Sequence, residues 1–282
     1  MQGVPEEFTR RIDALRADNL SGATALLGDA IAILSAARAA GADMPPIAEA
    51  ICLAQPSMAP VWNAARAALS ADPVAFERFA ERVRRAPAAV ARYAADHFSD
   101  GGALRIVTLS YSSSVLVALN AIRATRPLHV SCTESRPALE GRRLALDLAA
   151  AGVSVDFFSD AAIARALDDA HAVLVGADAV GPTWFCNKSG TRMLAAAATQ
   201  QGVPVYVVAT RDKFVGDQVA ARMSIRSENA REVWEDPPGG IAVRNPYFEP
   251  TSLDLVTSVI TDFGVLGTGM IPEVCAAMDE VS

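Results

Sequence analysis

The run Leu104-Arg-Ile-Val-Thr-Leu109 leads through Ser110-Tyr-Ser-Ser-Ser114 into a helical pattern ending near Thr125, and its reading decides the fold. A short Val- and Ile-rich apolar run reads as a strand, and the serines read as a helix start, so the pair is half of a βαβ unit. The alternation then repeats. Leu128–Cys132 precedes a helix over Leu139–Ala151, and Ser154–Phe158 precedes a short helix over 161–168. Ala172–Val175 follows, and a helix over 190–201 leads into Pro204–Ala209. Five strands separated by helices imply right-handed crossovers and a mostly parallel sheet. The unbroken apolar character of 172–175 and 203–209 suits strands covered on both faces.

Upstream the pattern is helical throughout. Phe8, Ile12 and Leu15 recur at three- and four-residue spacing within 5–18, and the break at 19–22 precedes a more apolar helix over Ala25–Ala40. Further helices are expected over Ile47–Ala54, 61–70 and 73–97, the last with a charged face from Glu77 to Arg85. No strand is expected before Ser99-Asp-Gly-Gly102, the best linker. The chain is therefore expected to be α/β, with a helical N-terminal domain over 1–98 and a sheet domain over 103–282.

With 282 residues, 51% hydrophobic and 20% charged, the chain has ample material for a core, which excludes disorder. A net charge of −7 argues against a nucleic-acid groove. Four scattered cysteines without a CxxC pair, and three histidines, argue against a zinc site and for a reducing, cytoplasmic setting. The N-terminus is charged where a leader needs apolar residues, and no apolar run reaches the roughly 18 residues of a membrane span. No metal, cofactor, nucleic acid or membrane is expected.

In an open parallel sheet, ligands sit beyond the carboxyl ends of the strands. After the first strand come Ser110, Ser112 and Ser113, whose hydroxyls and free N–H groups can cradle an anion or simply cap the helix. After the second, Arg136 can grip an oxyanion, or belong to a surface ion pair beside a helix start at Glu140. After the fourth, Gly176-Ala-Asp178 offers a carboxylate for acid–base work, although aspartate also serves turns. Asn187 and Lys188 open the next helical segment and suit a polyol phosphate. Cys186 reads as a small buried residue. Trp62, Trp184 and Trp234 read as packing groups, and His97, His129 and His171 receive no catalytic role. Residues 228–240 read as an exposed loop or hairpin.

Taken in order, Thr133-Glu-Ser-Arg-Pro137 with Glu140-Gly141, Val175-Gly-Ala-Asp-Ala-Val180, Asn187-Lys-Ser-Gly-Thr191, Val203-Pro-Val-Tyr-Val207, Asn245-Pro-Tyr-Phe-Glu249 and Val259-Ile-Thr-Asp-Phe-Gly264 resemble the initiation-factor-2B α/β/δ-related family. That family contains methylthioribose-1-phosphate and ribose-1,5-bisphosphate isomerases and the regulatory subunits of the eukaryotic exchange factor. The resemblance covers essentially the whole chain. It implies a helical domain followed by a Rossmann-like domain and a phosphorylated-sugar ligand. It also implies a homodimer or higher homo-oligomer, an expectation supported by the apolar stretch Leu253–Met270.

The resemblance further implies a Thr-His-Cys-Asn segment whose cysteine works with an aspartate. Asp178 matches the aspartate, but Ser110 stands in the cysteine's place, and an alkanol is far less acidic than a thiol. Ser21-Gly22-Ala23 stands where the isomerases carry Arg-Gly-Ala, and Gln55-Pro-Ser-Met-Ala59 where they carry Arg-Pro-Thr-Ala. Two phosphate-neutralising arginines are therefore missing. The expected site has Asp178 and Ser110 at the reacting position. Ser21, Gly22, Ala23, Ser112, Ser113, Arg136, Asn187 and Lys188 are expected around the ligand. Two functions remain open: a pentose-phosphate-binding protein with isomerase-type chemistry at an altered site, or a non-catalytic regulatory subunit.

Overall fold

The computed structural model describes residues 3–19 and 21–280; Leu20, within the predicted break, lies outside them. Five helices come first: α1 (Glu6–Ala17), α2 (Ala23–Ala39), α3 (Met44–Ala54), α4 (Ala59–Leu69) and α5 (Ala75–His97). Phe8, Ile12 and Leu15 are buried as their spacing predicts, and pack with Leu26, Leu34, Ile47, Ile51 and Trp62 in a helical core. The long α5 serves two cores. Phe76 and Phe79 enter the helical one, whereas Val90, Ala94 and Phe98 pack beneath the sheet. The predicted linker is pinned, since the Arg126 guanidinium donates to the carbonyls of Phe98 at 2.9 Å and Gly102 at 2.8 Å.

The α/β part runs β1 (Leu104–Thr108), α6 (Ser113–Arg123), β2 (Leu128–Thr133), α7 (Glu140–Ala150), β3 (Ser154–Phe158), β4 (Ala172–Gly176), β5 (Ala179–Val180), β6 (Trp184–Lys188), α8 (Thr191–Gln201) and β7 (Val205–Val208). It ends with α9 (Asp217–Ala220), β8 (Phe248–Ser252), β9 (Ser258–Thr261), β10 (Gly264–Gly267) and α10 (Ile271–Glu280). The main sheet has seven strands in the order β10-β9-β7-β4-β1-β2-β3, all parallel except β10. Adjacent residues of one strand face opposite sides: Ile106 and Leu174 pack under α6 and α7, while Val107, Val173 and Val175 pack toward α8 and α10. Both faces are covered, which is why these strands read as continuous apolar runs.

The five predicted strands are all present. The segment predicted as a helix over 161–168 is a 3-10 turn over Asp160–Leu167. Five further strands were not read. The short β5, the mixed-polarity β6 and β8 form a separate antiparallel sheet, and β9 and β10 extend the main one. Val259 and Ile260 are fully buried there. The apolar stretch Leu253–Met270, read as a surface for a second copy, is thus largely consumed within a single chain. Trp234, read as a packing group, is 46% exposed, while Trp62 is buried. Among the described residues no helix is long and apolar enough to cross a membrane.

Candidate functional site

The strand order reverses between β1 and β4, because β1 continues to β2 on one side and β4 leads to β7 on the other. Loops leaving a switch point diverge and open a crevice. Here a cavity of about 500 Å³ occupies it, bounded by the loops after β1 and β4, by β6 and by the start of α2. Gly176 ends β4 where α6 begins. A Cβ at that position would lie 2.6 Å from Ser112 Oγ and 2.8 Å from its Cβ. Gly176→Ala is therefore expected to push the α6 start outward, lowering stability by about 1–3 kcal/mol in urea titration and enlarging the crevice.

The loops forming the floor are held under backbone tension. Ser110, Ser135 and Leu139 have positive φ values of 63°, 59° and 63°, the left-handed region that non-glycine residues rarely occupy. Three such residues in two adjacent loops persist because the surroundings fix them. Ser135 Oγ accepts the Ser110 N–H at 2.7 Å. Asp160 accepts the N–H groups of Ser135 at 2.8 Å and Arg136 at 2.7 Å. Two helix N-termini open on the cavity. Gly22 precedes α2, and Ser112 caps α6 by accepting the Val115 N–H at 3.4 Å. Ser113 Oγ, 2.9 Å from Thr24 Oγ1, joins the two starts. Their free N–H groups and macrodipoles favour an anion. The start of α8 differs, since Glu249 Oε1 already accepts from Gly190 at 2.7 Å and Arg192 at 3.0 Å.

Asp178, Glu140, Lys188, Lys213 and Arg143 line the same space. Burial pushes the Asp178 carboxyl up to about 6, against the lowering fields of Lys213 and Lys188 and with a further push from Glu140. Lys213 is 3% exposed, and burial holds its pKa below the usual lysine value although Asp178 and Asp212 oppose the shift. Lys188 Nζ lies 2.7 Å from Glu140 Oε1 and 4.3 Å from the centre of the Tyr247 ring, so a carboxylate and an aromatic face orient it. Asn187 Nδ2 donates to Thr191 Oγ1 at 2.9 Å. Asp178 is fixed through its backbone: its N–H donates to the Cys186 carbonyl at 2.8 Å, and its carbonyl accepts the Ala59 N–H at 3.0 Å. The helical part thus bears directly on the loop carrying this carboxylate.

Ser21, Gly22, Ala23, Ser110, Ser112, Ser113, Asp178, Asn187 and Lys188 meet around one cavity, although 167 positions separate the first from the last. Arg136 does not join them. Its side chain is exposed, and only its backbone N–H is engaged, by Asp160. Gln55, standing where an arginine is implied, donates instead to the carbonyls of Leu15 at 2.6 Å and Asp18 at 2.9 Å. Sequence reasoning missed Lys213. It lies in an ordinary polar segment after β7, and its only signal is its place beyond a strand's carboxyl end. Glu140, read beside a surface ion pair, pairs inward with Lys188. Cys186 is buried, and burial first, then Asp178 and Glu249, drive its thiol pKa upward and keep it protonated. His129 does have a carboxylate partner, Asp156 Oδ2 at 2.8 Å, but at the amino ends of the strands, away from the cavity. Among the described residues no cluster of His, Cys, Asp or Glu has metal-holding geometry.

This is the architecture of a Rossmann-like α/β protein, with a charged cavity at its switch point and the helical part contributing to its wall. A family model described as the initiation factor 2 subunit family matches residues 6–268, and the chain belongs to that family. A methylthioribose-1-phosphate isomerase of Exiguobacterium sibiricum is 34% identical over 177 residues, 57% of this chain and 49% of that protein. The chain therefore spans about half the length of the curated isomerase it matches there. A putative translation initiation factor eIF-2B subunit 2-like protein of Pyrococcus horikoshii is 29% identical over 230 residues, 77% of this chain and 79% of that one. The crystal structure of a Pyrococcus horikoshii translation initiation factor eIF-2B superposes with a TM-score of 0.79 at 24% identity, covering 99% and 100% of the two chains. That likeness concerns the fold.

Proposed function

We propose that the protein binds a phosphorylated pentose in the switch-point cavity, and that Asp178 moves the proton in an aldose–ketose isomerisation of that ligand. One observation carries the reading. A carboxyl with a pKa of about 6 shares a cavity of about 500 Å³ with two helix N-termini and three cationic side chains. The α2 and α6 starts, together with Arg143 and Lys213, suit a phosphate, and Asn187 suits a hydroxyl. A carboxyl that titrates near neutrality accepts and returns a proton in one turnover. Ser110 serves binding rather than proton transfer, since an alkanol is far less acidic than the thiol whose place it takes.

Thermal denaturation with ribose 5-phosphate, ribose 1,5-bisphosphate, methylthioribose 1-phosphate and fructose 6-phosphate tests the binding step. A ligand at 100 times its dissociation constant adds about 2.7 kcal/mol, which in a chain of this size raises Tm by several degrees. The expected result is a shift with at least one pentose phosphate. No shift with any of them refutes the reading.

The second reading, a regulatory subunit that senses a sugar phosphate without converting it, is favoured by Ser110 in the position of the isomerases' cysteine. Exchange of the ligand's C2 hydrogen with deuterated solvent separates the two. Exchange, or appearance of the C1–C2 isomer, marks an enzyme, and binding without either marks a sensor.

A further inference from the structure

The turn Arg211–Lys213 sends Lys213 into the cavity just described. On its other side lies a second cavity of about 290 Å³, enclosed by α4, α5, α10 and the turn between β9 and β10. Its lining is mixed in kind. Phe79, Val83 and Met278 provide apolar surface, and Arg78 and Arg82, four residues apart on α5, stand with Arg211 around the same space. Arg66 also lines the space.

Carboxylates are present but engaged. Asp72 binds the Arg78 guanidinium and accepts the Val74 N–H at 3.1 Å. Asp262 Oδ1 accepts the backbone N–H of Arg211 at 2.7 Å. Asp212, 9% exposed, is bonded by the Thr210 side chain and faces the charge of Lys213. Among the described residues neither Arg82 nor Arg211 makes an ion pair. Arg82 lies 5.9 Å from the centre of the Phe79 ring, and Arg211 4.3 Å from that of Phe263. Partial desolvation first, and then the like charges of Arg211 and Arg78, lower the Arg82 pKa, outweighing the opposing fields of Asp262 and Asp212. Two unpaired forks around a shared space with apolar surface are an arrangement that a bidentate anion relieves.

We propose that this cavity is a second ligand site, taking a small phosphomonoester whose phosphate bridges Arg82 and Arg211 and whose apolar body lies against Phe79, Val83 and Met278. It is distinct from the sugar-phosphate cavity. Asn63 of α4 fixes the dividing turn, its Nδ2 donating to the carbonyls of Asp212 at 2.7 Å and Phe214 at 2.9 Å.

Calorimetric titration of the full chain with phenyl phosphate tests the assignment. The double variant Arg82→Gln/Arg211→Gln is expected to weaken binding about a hundredfold, a tenfold loss for each charge-assisted contact. Arg143→Gln, an exposed change in the first cavity, should leave it within about threefold. Inorganic phosphate, lacking an apolar body, should bind more weakly than phenyl phosphate. The proposal falls if phenyl phosphate does not bind at millimolar concentration, or binds the double variant as it binds wild type. It falls equally if Arg143→Gln abolishes binding, because the probe would then sit in the first cavity. Both arginines are exposed, so the double variant should keep its fold and its response to ribose 5-phosphate. Failure of the wild-type protein to respond to any sugar phosphate would overturn the first reading and leave this one standing.

Discussion

Asp178→Asn is expected to lower C1–C2 isomerisation about 10²–10⁴-fold, the usual contribution of a positioned acid–base group. Pentose-phosphate affinity should stay within about tenfold, since asparagine keeps the shape and much of the hydrogen bonding. The wild-type rate should rise with pH through about 6 as the carboxyl ionises into a base, and the variant should lack that limb. The same group leaves a mark on stability. Its folded pKa of about 6 exceeds its ordinary value of 3.8, so the folded state binds the proton more tightly. Its contribution is complete below about pH 4 and is lost as pH rises through 6, to a limit of about 3 kcal/mol. Denaturation midpoints of wild type should therefore carry a downward component over that window that the asparagine variant lacks. Turnover by the variant at the wild-type rate would remove Asp178 from the mechanism.

Lys213→Met is expected to be the most damaging single change to stability. Lys213 is 3% exposed and sits between Asp178 and Asp212, both of which burial has already pushed toward the neutral form. Removing the cation strands the buried Asp212 and leaves Asp178 with Lys188 as its counter-charge, and breaking a buried charge arrangement in this way costs about 3–5 kcal/mol. For a chain of this size the loss corresponds to a fall in Tm of roughly 10 °C at neutral pH. The effect should shrink at low pH, where both carboxyls are protonated and need no counter-charge. Combining Lys213→Met with Asp178→Asn should recover part of the loss, because one of the two carboxyls facing Lys213 is gone. A Tm unchanged at pH 7 would mean that Lys213 does not hold these charges in place.

How legible each element was follows from how locally its cause is written. Phe8, Ile12 and Leu15 announce a helix because the 3.6-residue period needs only neighbours. The runs 104–109 and 172–175 announce strands because burial on both faces leaves no polar alternation. Trp184-Phe-Cys-Asn-Lys188 announced nothing. Its strand exists because β5 and β8, the latter about 60 residues away, pair with its two edges. The same holds for Val259 and Ile260, whose apolar character is equally consistent with a surface for a second copy and with a strand beside β7. Only the pairing Val207↔Val259 decides between them.

For the candidate site, sequence alone determined which loops would converge. βαβ order places every strand's carboxyl end on one edge, and Ser110, Asp178 and Lys188 follow such ends or the strand beside them. Tertiary structure alone decided which charges face each other there. It turned Arg136 outward, because Asp160 holds the loop by its backbone. It also turned Glu140 inward onto Lys188 and set Lys213 against Asp178. The alternation of strands and helices is a consequence of local pattern, whereas strand order and charge pairing depend on contacts across the fold that no neighbouring residue encodes.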